Sequence, residues 1–154
     1  MGCCRVVTLL WALLTVGWGA TASAQEEYHL YGGEGHATYY GCLNCESHRD
    51  STIWNYYSPY GYPLGTQSIW NDKLPIVDVE SPYSFRNPTA ADPRCLPIVV
   101  DSQGRFVGYF TANGDMPERC DWALLEIILD NYDRIVLDVD EAYEELFGGA
   151  ISLY

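Results

Sequence analysis

Residues 51–71 read STIWNYYSPYGYPLGTQSIWN, and the tripeptide Ile53-Trp54-Asn55 returns as Ile69-Trp70-Asn71 sixteen residues later. Laying the chain in rows of sixteen extends the match. Thr52, Ser68 and Ser84 fall in one column, and Ile53, Ile69 and Phe85 fall in the next. Trp54 stands above Trp70 with Arg86 beneath them, and Asn55, Asn71 and Asn87 align without exception. Pro59 lies above Pro75. Three rows sharing a hydroxyl, an apolar residue and an asparagine define a repeat over about residues 50–90.

Each copy opens with β-compatible residues, so a short extended piece is expected there. Strand alternation would send Ile53 and Ile69 to one side and Trp54 and Trp70 to the other. Asparagine ends the piece, because its side chain bonds nearby backbone and tolerates a left-handed conformation. Pro59-Tyr60-Gly61 and Pro63-Leu64-Gly65 read as turns. Each copy therefore suits a tight hairpin or a looping rung, not a helix. So short a unit cannot bury its own apolar face, and the copies must pack on each other or on a neighbouring sheet. The Ile/Ile/Phe column is the expected inner ladder. The tryptophan column would face outward or sit in a groove, joined by Tyr56, Tyr57, Tyr60 and Tyr62. Such aromatics either cover a thin β-layer or form a platform for sugar rings or a peptide. Trp54, Asn55, Tyr60, Trp70 and Asn71 are the candidate binding residues of the second reading.

The flanks carry ordinary structural signals. Ile98 to Val100 is a β-rich run, Asp101-Ser102-Gln103-Gly104 has the residues of a tight turn, and Arg105 to Ala112 returns as a strand. Gly108 within that strand marks a bulge or a close backbone approach. A segment near residues 37–43 echoes the hairpin and is expected to pair in the same sheet. Asp115-Met116-Pro117-Glu118 reads as a helix start, with Trp122, Leu125, Ile128 and Leu129 at helical spacing to about Asp130. A second helix is expected from about Val139 to Phe147, stopped by Gly148-Gly149. Ile135 to Leu137 fits a strand or a helical continuation.

The ends and the charge bound the function class. Met1 to Arg5, the apolar run Val6 to Val16, and Ala22-Ser23-Ala24 form a signal peptide with cleavage expected before Gln25. No other segment is apolar enough to cross a bilayer. The net charge of the whole chain is −13, and cleavage removes one base and no acid. Nucleic acid and anionic lipid are disfavoured as partners, leaving cationic or neutral ones. Eleven acids crowd between Asp115 and Glu145, against only Arg119 and Arg134. They read as a solvated helical surface.

Cys42, Cys45, Cys95 and Cys120 remain after cleavage. An even number in an exported chain favours two disulfides, with three connectivities open. Cys42-Leu43-Asn44-Cys45 is also a C-x-x-C. A redox role would want a helix N-terminus there, which the flanking residues do not provide. A four-cysteine metal site would need Cys95 and Cys120 as a close pair, which they are not in sequence. His29, His36 and His48 cluster near the first cysteines and supply further candidate ligands or a base for Cys42. Asp138-x-Asp140-Glu141 lacks the turn glycine and closing glutamate of a calcium loop and reads as a helix cap.

The C-L-x-C at Cys42 and Cys45, the S-I-W-N at Ser68 to Asn71, and the hairpin pattern I-V-D-x-x-G-x-x-x-G-x-x-T-x-N together resemble a group of exported bacterial proteins of uncharacterised function. Here that hairpin pattern is carried by Ile98 to Asp101 with Gly104, Gly108, Thr111 and Asn113. The resemblance covers about residues 39–113 and implies export, a bacterial source and architecture, but no activity. The third copy departs from it with Phe85-Arg86-Asn87, and the linkers here are proline-rich.

The reading is thus an α+β protein. A signal peptide at 1–24 precedes a loop-rich antiparallel β-region with sixteen-residue repeats at 25–113 and an acidic helical segment of the same domain at 114–154. The expected function is a secreted or periplasmic, non-catalytic binding or interaction module with no cofactor. It would use an aromatic repeat face on a carbohydrate, a peptide or a cell-envelope component. The alternative is a thiol-redox or metal-dependent protein centred on Cys42 and Cys45.

Overall fold

The computed structural model describes residues 25–148 and Ile151; the expected signal peptide, residues 1–24, lies outside the described residues. The fold is α+β. A four-stranded antiparallel sheet comprises β1 (Tyr28–Gly32), β2 (Thr38–Cys42), β3 (Ile98–Asp101) and β4 (Phe106–Tyr109), in the order β2-β1-β3-β4. Two helices follow, α1 (Ala123–Leu137) and α2 (Val139–Phe147). Between β2 and β3 the chain runs through the repeats.

The hairpin forms where turn chemistry places it. The buried Asp101 carboxylate accepts the backbone N–H groups of Gln103 and Arg105, each at 2.9 Å, and Gly104 takes the left-handed conformation. The β3–β4 register slips between Val99 and Val100, opposite Val107, so β4 carries a bulge. Gly108 also allows a close approach, since a Cβ there would lie 2.7 Å from the Glu118 carbonyl and 2.8 Å from the Cys120 sulfur. β4 ends at Tyr109, short of Ala112, whose N–H donates to Phe85 O in the repeats at 2.6 Å. Residues 118–120 pair with the outer edge of β4, Tyr109 N–H donating to Glu118 O and Cys120 N–H to Tyr109 O, both at 2.9 Å. β2 covers the segment expected to pair, and β1 supplies the strand between it and β3.

The repeats are not strands. From Ser58 onward, backbone N–H groups reach back four residues (Tyr62 to Ser58, 3.1 Å) and then three at a time, through Gly65, Ser68, Asn71 and Leu74. The next four-residue step, Asp78 to Leu74, comes sixteen residues after the first. One period is therefore one four-residue turn and four three-residue turns. Side chains hold the turns. Thr52, Ser68 and Ser84 Oγ accept the N–H two residues on, at 3.4, 3.2 and 3.0 Å. Asn55, Asn71 and Asn87 Oδ1 do the same at 2.9, 3.1 and 2.9 Å, while their Nδ2 atoms donate to carbonyls six residues back. These local bonds compete with a strand ladder and displace it. Only Thr52 bridges to a strand residue, Cys42.

Because the copies are turns, alternation does not apply, and both columns point inward. Ile53, Ile69 and Phe85 are wholly buried, and so are Trp54 and Trp70. Each indole reaches back along the chain: Trp54 Nε1–H donates to Leu43 O, just after β2, at 2.8 Å, and Trp70 Nε1–H donates to Ile53 O of the first copy. In the third copy Arg86 replaces tryptophan, and the next carbonyl in the series, Ile69 O, accepts instead from the Tyr132 hydroxyl of α1 at 2.8 Å. The Arg86 guanidinium stacks 3.7 Å from the centre of that tyrosine ring.

The helices roof this ladder. Leu124, Leu125, Ile128, Tyr132 and Ile135 form the buried face of α1. Tyr143 and Phe147 of α2 lie 5.6 and 5.1 Å from the Trp54 ring. α1 starts at Ala123 rather than near Asp115. Asn113 Oδ1 accepts Asp115 N–H at 3.0 Å, Glu118 adopts a positive φ of 57°, and residues 118–120 pair with β4, so no helical turn can form before Trp122. Ile135 to Leu137 continue α1. Asp138 alone links the helices and caps α2, accepting Glu141 N–H at 3.0 Å, and Gly148 ends α2 in the left-handed conformation.

The Trp54→Ala/Trp70→Ala double variant is expected to lose cooperative folding. Each truncation costs about 3–5 kcal/mol, and a domain has only about 5–15 kcal/mol in total. Urea unfolding followed by circular dichroism checks this; a wild-type transition in the double variant would show that the indoles are not core.

Candidate functional site

The five candidate binding residues do not form one face. Trp54 and Trp70 are in the core and Asn71 is buried, its amide spent on turn bonds. A stacking platform built on the tryptophans is therefore ruled out by their burial. Asn55 and Tyr60 stay partly accessible. Tyr60 meets Tyr39 edge-on at 4.9 Å, and Tyr39 in turn packs 5.1 Å from Tyr31 and shares a 3.0 Å hydrogen bond with His29 Nδ1.

The exposed aromatics of the first copy are different ones. Tyr57 is 90 % exposed, and Tyr56 lies edge-on to both Tyr57 (5.6 Å) and Tyr62 (5.5 Å). Leu64, 68 % exposed, extends the apolar surface. Their positions change from copy to copy: Tyr56, Asp72 and Pro88 share one column, and Tyr57, Lys73 and Thr89 the next. The hydroxyl and apolar columns that open each copy are buried, whereas these exposed rings sit in columns that vary.

Asn55 and Tyr57 line a depression of about 290 Å³ where the first copy meets α2. Ser47 and His48 form one wall, and Asp140 and Glu144 of α2 form another. His48 is highly exposed and pairs with Glu46 at 3.4 Å. An aromatic face and two carboxylates thus converge on one opening. The chemistry suits a cationic or hydroxyl-rich ligand, which stacks on the ring and bonds the carboxylates.

The cysteines differ from the two-disulfide expectation. Cys42 and Cys45 are bonded to each other, and Cys95 and Cys120 are free thiols. Cys120 is buried against Gly108 at the sheet edge, and burial pushes its thiol up to about 12. Cys95 is partly exposed and lines a separate cleft of about 490 Å³ with Glu34, His36, Tyr83, Asp92 and Arg94. His36 Nε2 is engaged by Leu96 O at 2.9 Å. Around the disulfide, a Glu27 carboxylate oxygen and the Cys42 and Cys45 sulfurs all lie within 4.8 Å of one another, the only such grouping of metal-ligand atoms among the described residues.

Compared with known proteins, the chain matches no family model, no curated protein and no solved structure.

A small alkylating reagent is expected to label Cys95 in the native, unreduced protein and Cys120 only after unfolding. Intact mass would then rise by one adduct natively and a second in denaturant. No adduct in denaturant would mean that Cys95 and Cys120 are joined after all.

Proposed function

We propose that the protein is an exported, non-catalytic interaction module that binds a basic peptide segment at the junction of the first repeat and α2. The proposal includes secretion or delivery to the periplasm after removal of residues 1–24, in keeping with the resemblance to exported bacterial proteins. The observation that carries it is the convergence of exposed Tyr57 with Asn55, Asp140 and Glu144 around one depression. A cationic side chain would lie over the tyrosine ring and pair with the carboxylates, gaining both cation–π and charge-assisted bonding. The chain's net charge of −13 would speed the approach of such a segment and repel polyanions. Tyr56, Tyr62 and Leu64 would extend the contact over apolar flanking residues. A neutral sugar ligand would use the same rings but would gain nothing from the overall charge.

An oligolysine peptide titrated against the protein by fluorescence anisotropy is expected to bind saturably at moderate salt, with an oligoglutamate peptide as the negative control. Tyr57→Ala and Asp140→Asn/Glu144→Gln should each weaken binding about tenfold, the loss of one anchor. Asp121→Asn/Asp130→Asn, elsewhere on the acidic segment, should change it little. Equal losses from both acidic pairs would reduce the effect to diffuse charge and contradict the site.

A further inference from the structure

We propose that Cys42 and Cys45, once their disulfide is reduced, join Glu27 as a three-ligand site for a thiophilic divalent cation of the zinc type. This inference is independent of the tyrosine-lined depression.

The backbone brings the three donors together. In the β1–β2 pair His29 lies opposite Cys42, so the two side chains share a face, and Glu27 stands two residues before His29. The loop after β2 is pinned to the same segment through Asn44. Its Oδ1 accepts Tyr28 N–H at 2.8 Å, and its Nδ2 donates to Glu26 O at 2.7 Å. A carboxylate oxygen of Glu27 and both sulfurs then lie within 4.8 Å of one another. Tetrahedral zinc, with bonds of about 2.3 Å to sulfur and about 2.0–2.2 Å to oxygen, holds its donors roughly 3.5–3.8 Å apart. The cluster is therefore within about an ångström of coordination geometry on the oxygen side, and the sulfurs must separate. Two intervening residues is also the usual spacing of a zinc-binding thiolate pair.

The surroundings fit the same use. Arg49 holds one Glu27 oxygen at 3.1 Å, and His29 Nε2 lies 3.7 Å from the other, so the carboxylate is oriented from outside. Cys45, Glu27 and Asn44 line an open depression of about 220 Å³, which gives an entry path and room for a water as fourth ligand. The cysteines themselves are buried, which shields the sulfur ligands from bulk solvent.

The chemistry balances with a dithiol as reductant. Its two thiols deliver two electrons and two protons, the Cys42–Cys45 bond breaks into two thiols, and the dithiol leaves as its own disulfide. The cation then displaces the two thiol protons and bonds the two thiolates and the carboxylate. Exchange with a second disulfide as oxidant runs this in reverse: that disulfide accepts the two electrons, takes two protons from solvent and leaves as a dithiol, while the Cys42–Cys45 bond re-forms and the metal is released, so disulfide and metal are mutually exclusive states of one site.

The test uses the full mature chain carrying Cys95→Ser, which removes the accessible thiol outside the site. Cobalt(II) is added to the oxidised protein and to protein reduced with dithiothreitol and freed of reductant. The reduced form is expected to take up one cobalt per chain with thiolate-to-cobalt charge-transfer absorption that zinc then abolishes; the oxidised form should show none. Glu27→Gln should weaken cobalt binding by about tenfold or more, since loss of even an outer partner costs a metal site that much. If reduction unfolds the chain, zinc should restore the helical circular dichroism of this protein but not of a variant also carrying Cys45→Ser. An absent charge-transfer band, a band untouched by Glu27→Gln, or a reduced chain that zinc does not refold would each overturn the proposal.

Discussion

The structure depends on a buried hydrogen bond that passes from one copy of the repeat to the copy before it. A chain of turns has no ladder to absorb its remaining carbonyls, and an unmet buried carbonyl costs about 1–3 kcal/mol. Here the indole of Trp54 satisfies Leu43 O and the indole of Trp70 satisfies Ile53 O. The same ring that makes the bond fills the space between rungs, since Trp54 and Trp70 lie 5.2 Å apart. Tryptophan suits the position because it combines a large apolar body with one N–H donor.

That constraint explains where the array ends. The third copy has no indole, and Ile69 O would be orphaned if α1 did not deliver the Tyr132 hydroxyl. Tyr132 also packs on Trp70 and Phe85, and Arg86 covers its other surface. The helices are thus not an appendage. They seal the open side of the repeat array, while the sheet seals the start of the chain of turns through the Cys42–Thr52 bridge. Short repeats need such end pieces because each buries its apolar side only against neighbours.

Local chemistry was legible where it acts alone. The β3–β4 turn, the Asp138 cap, the Gly148 stop and the sixteen-residue period could all be read from residues adjacent in sequence. Tertiary pairing hid the rest. Asp115 to Glu118 has the residues of a helix start, yet the neighbouring 118–120 segment is taken by the edge of β4. β1 is five residues, mixes polar and aromatic side chains, and gains its identity from lying between two partners. Strand alternation would send the tryptophans to an outer face or a groove, but turns do not alternate. The hydroxyl and asparagine columns that looked like strand punctuation instead close turns, and both apolar columns face inward. Of the candidate site residues, Asn55 and Tyr60 stay partly accessible, while the most exposed rings belong to columns that differ between copies.

The recurring hydroxyl and apolar positions that open each copy are buried, while Tyr56, Tyr57 and Tyr62 are exposed in columns that vary, and these are the positions the proposed contact would use. The measurement that bears most directly on this account is the urea unfolding of Tyr132→Phe. The substitution keeps the ring and its packing and removes only the hydroxyl that meets Ile69 O. The midpoint should fall with an unchanged slope, by about 1–3 kcal/mol of stability, because a buried carbonyl loses its donor. An unchanged midpoint would mean that the carbonyl is satisfied without Tyr132, and that the ladder does not need α1 to close it.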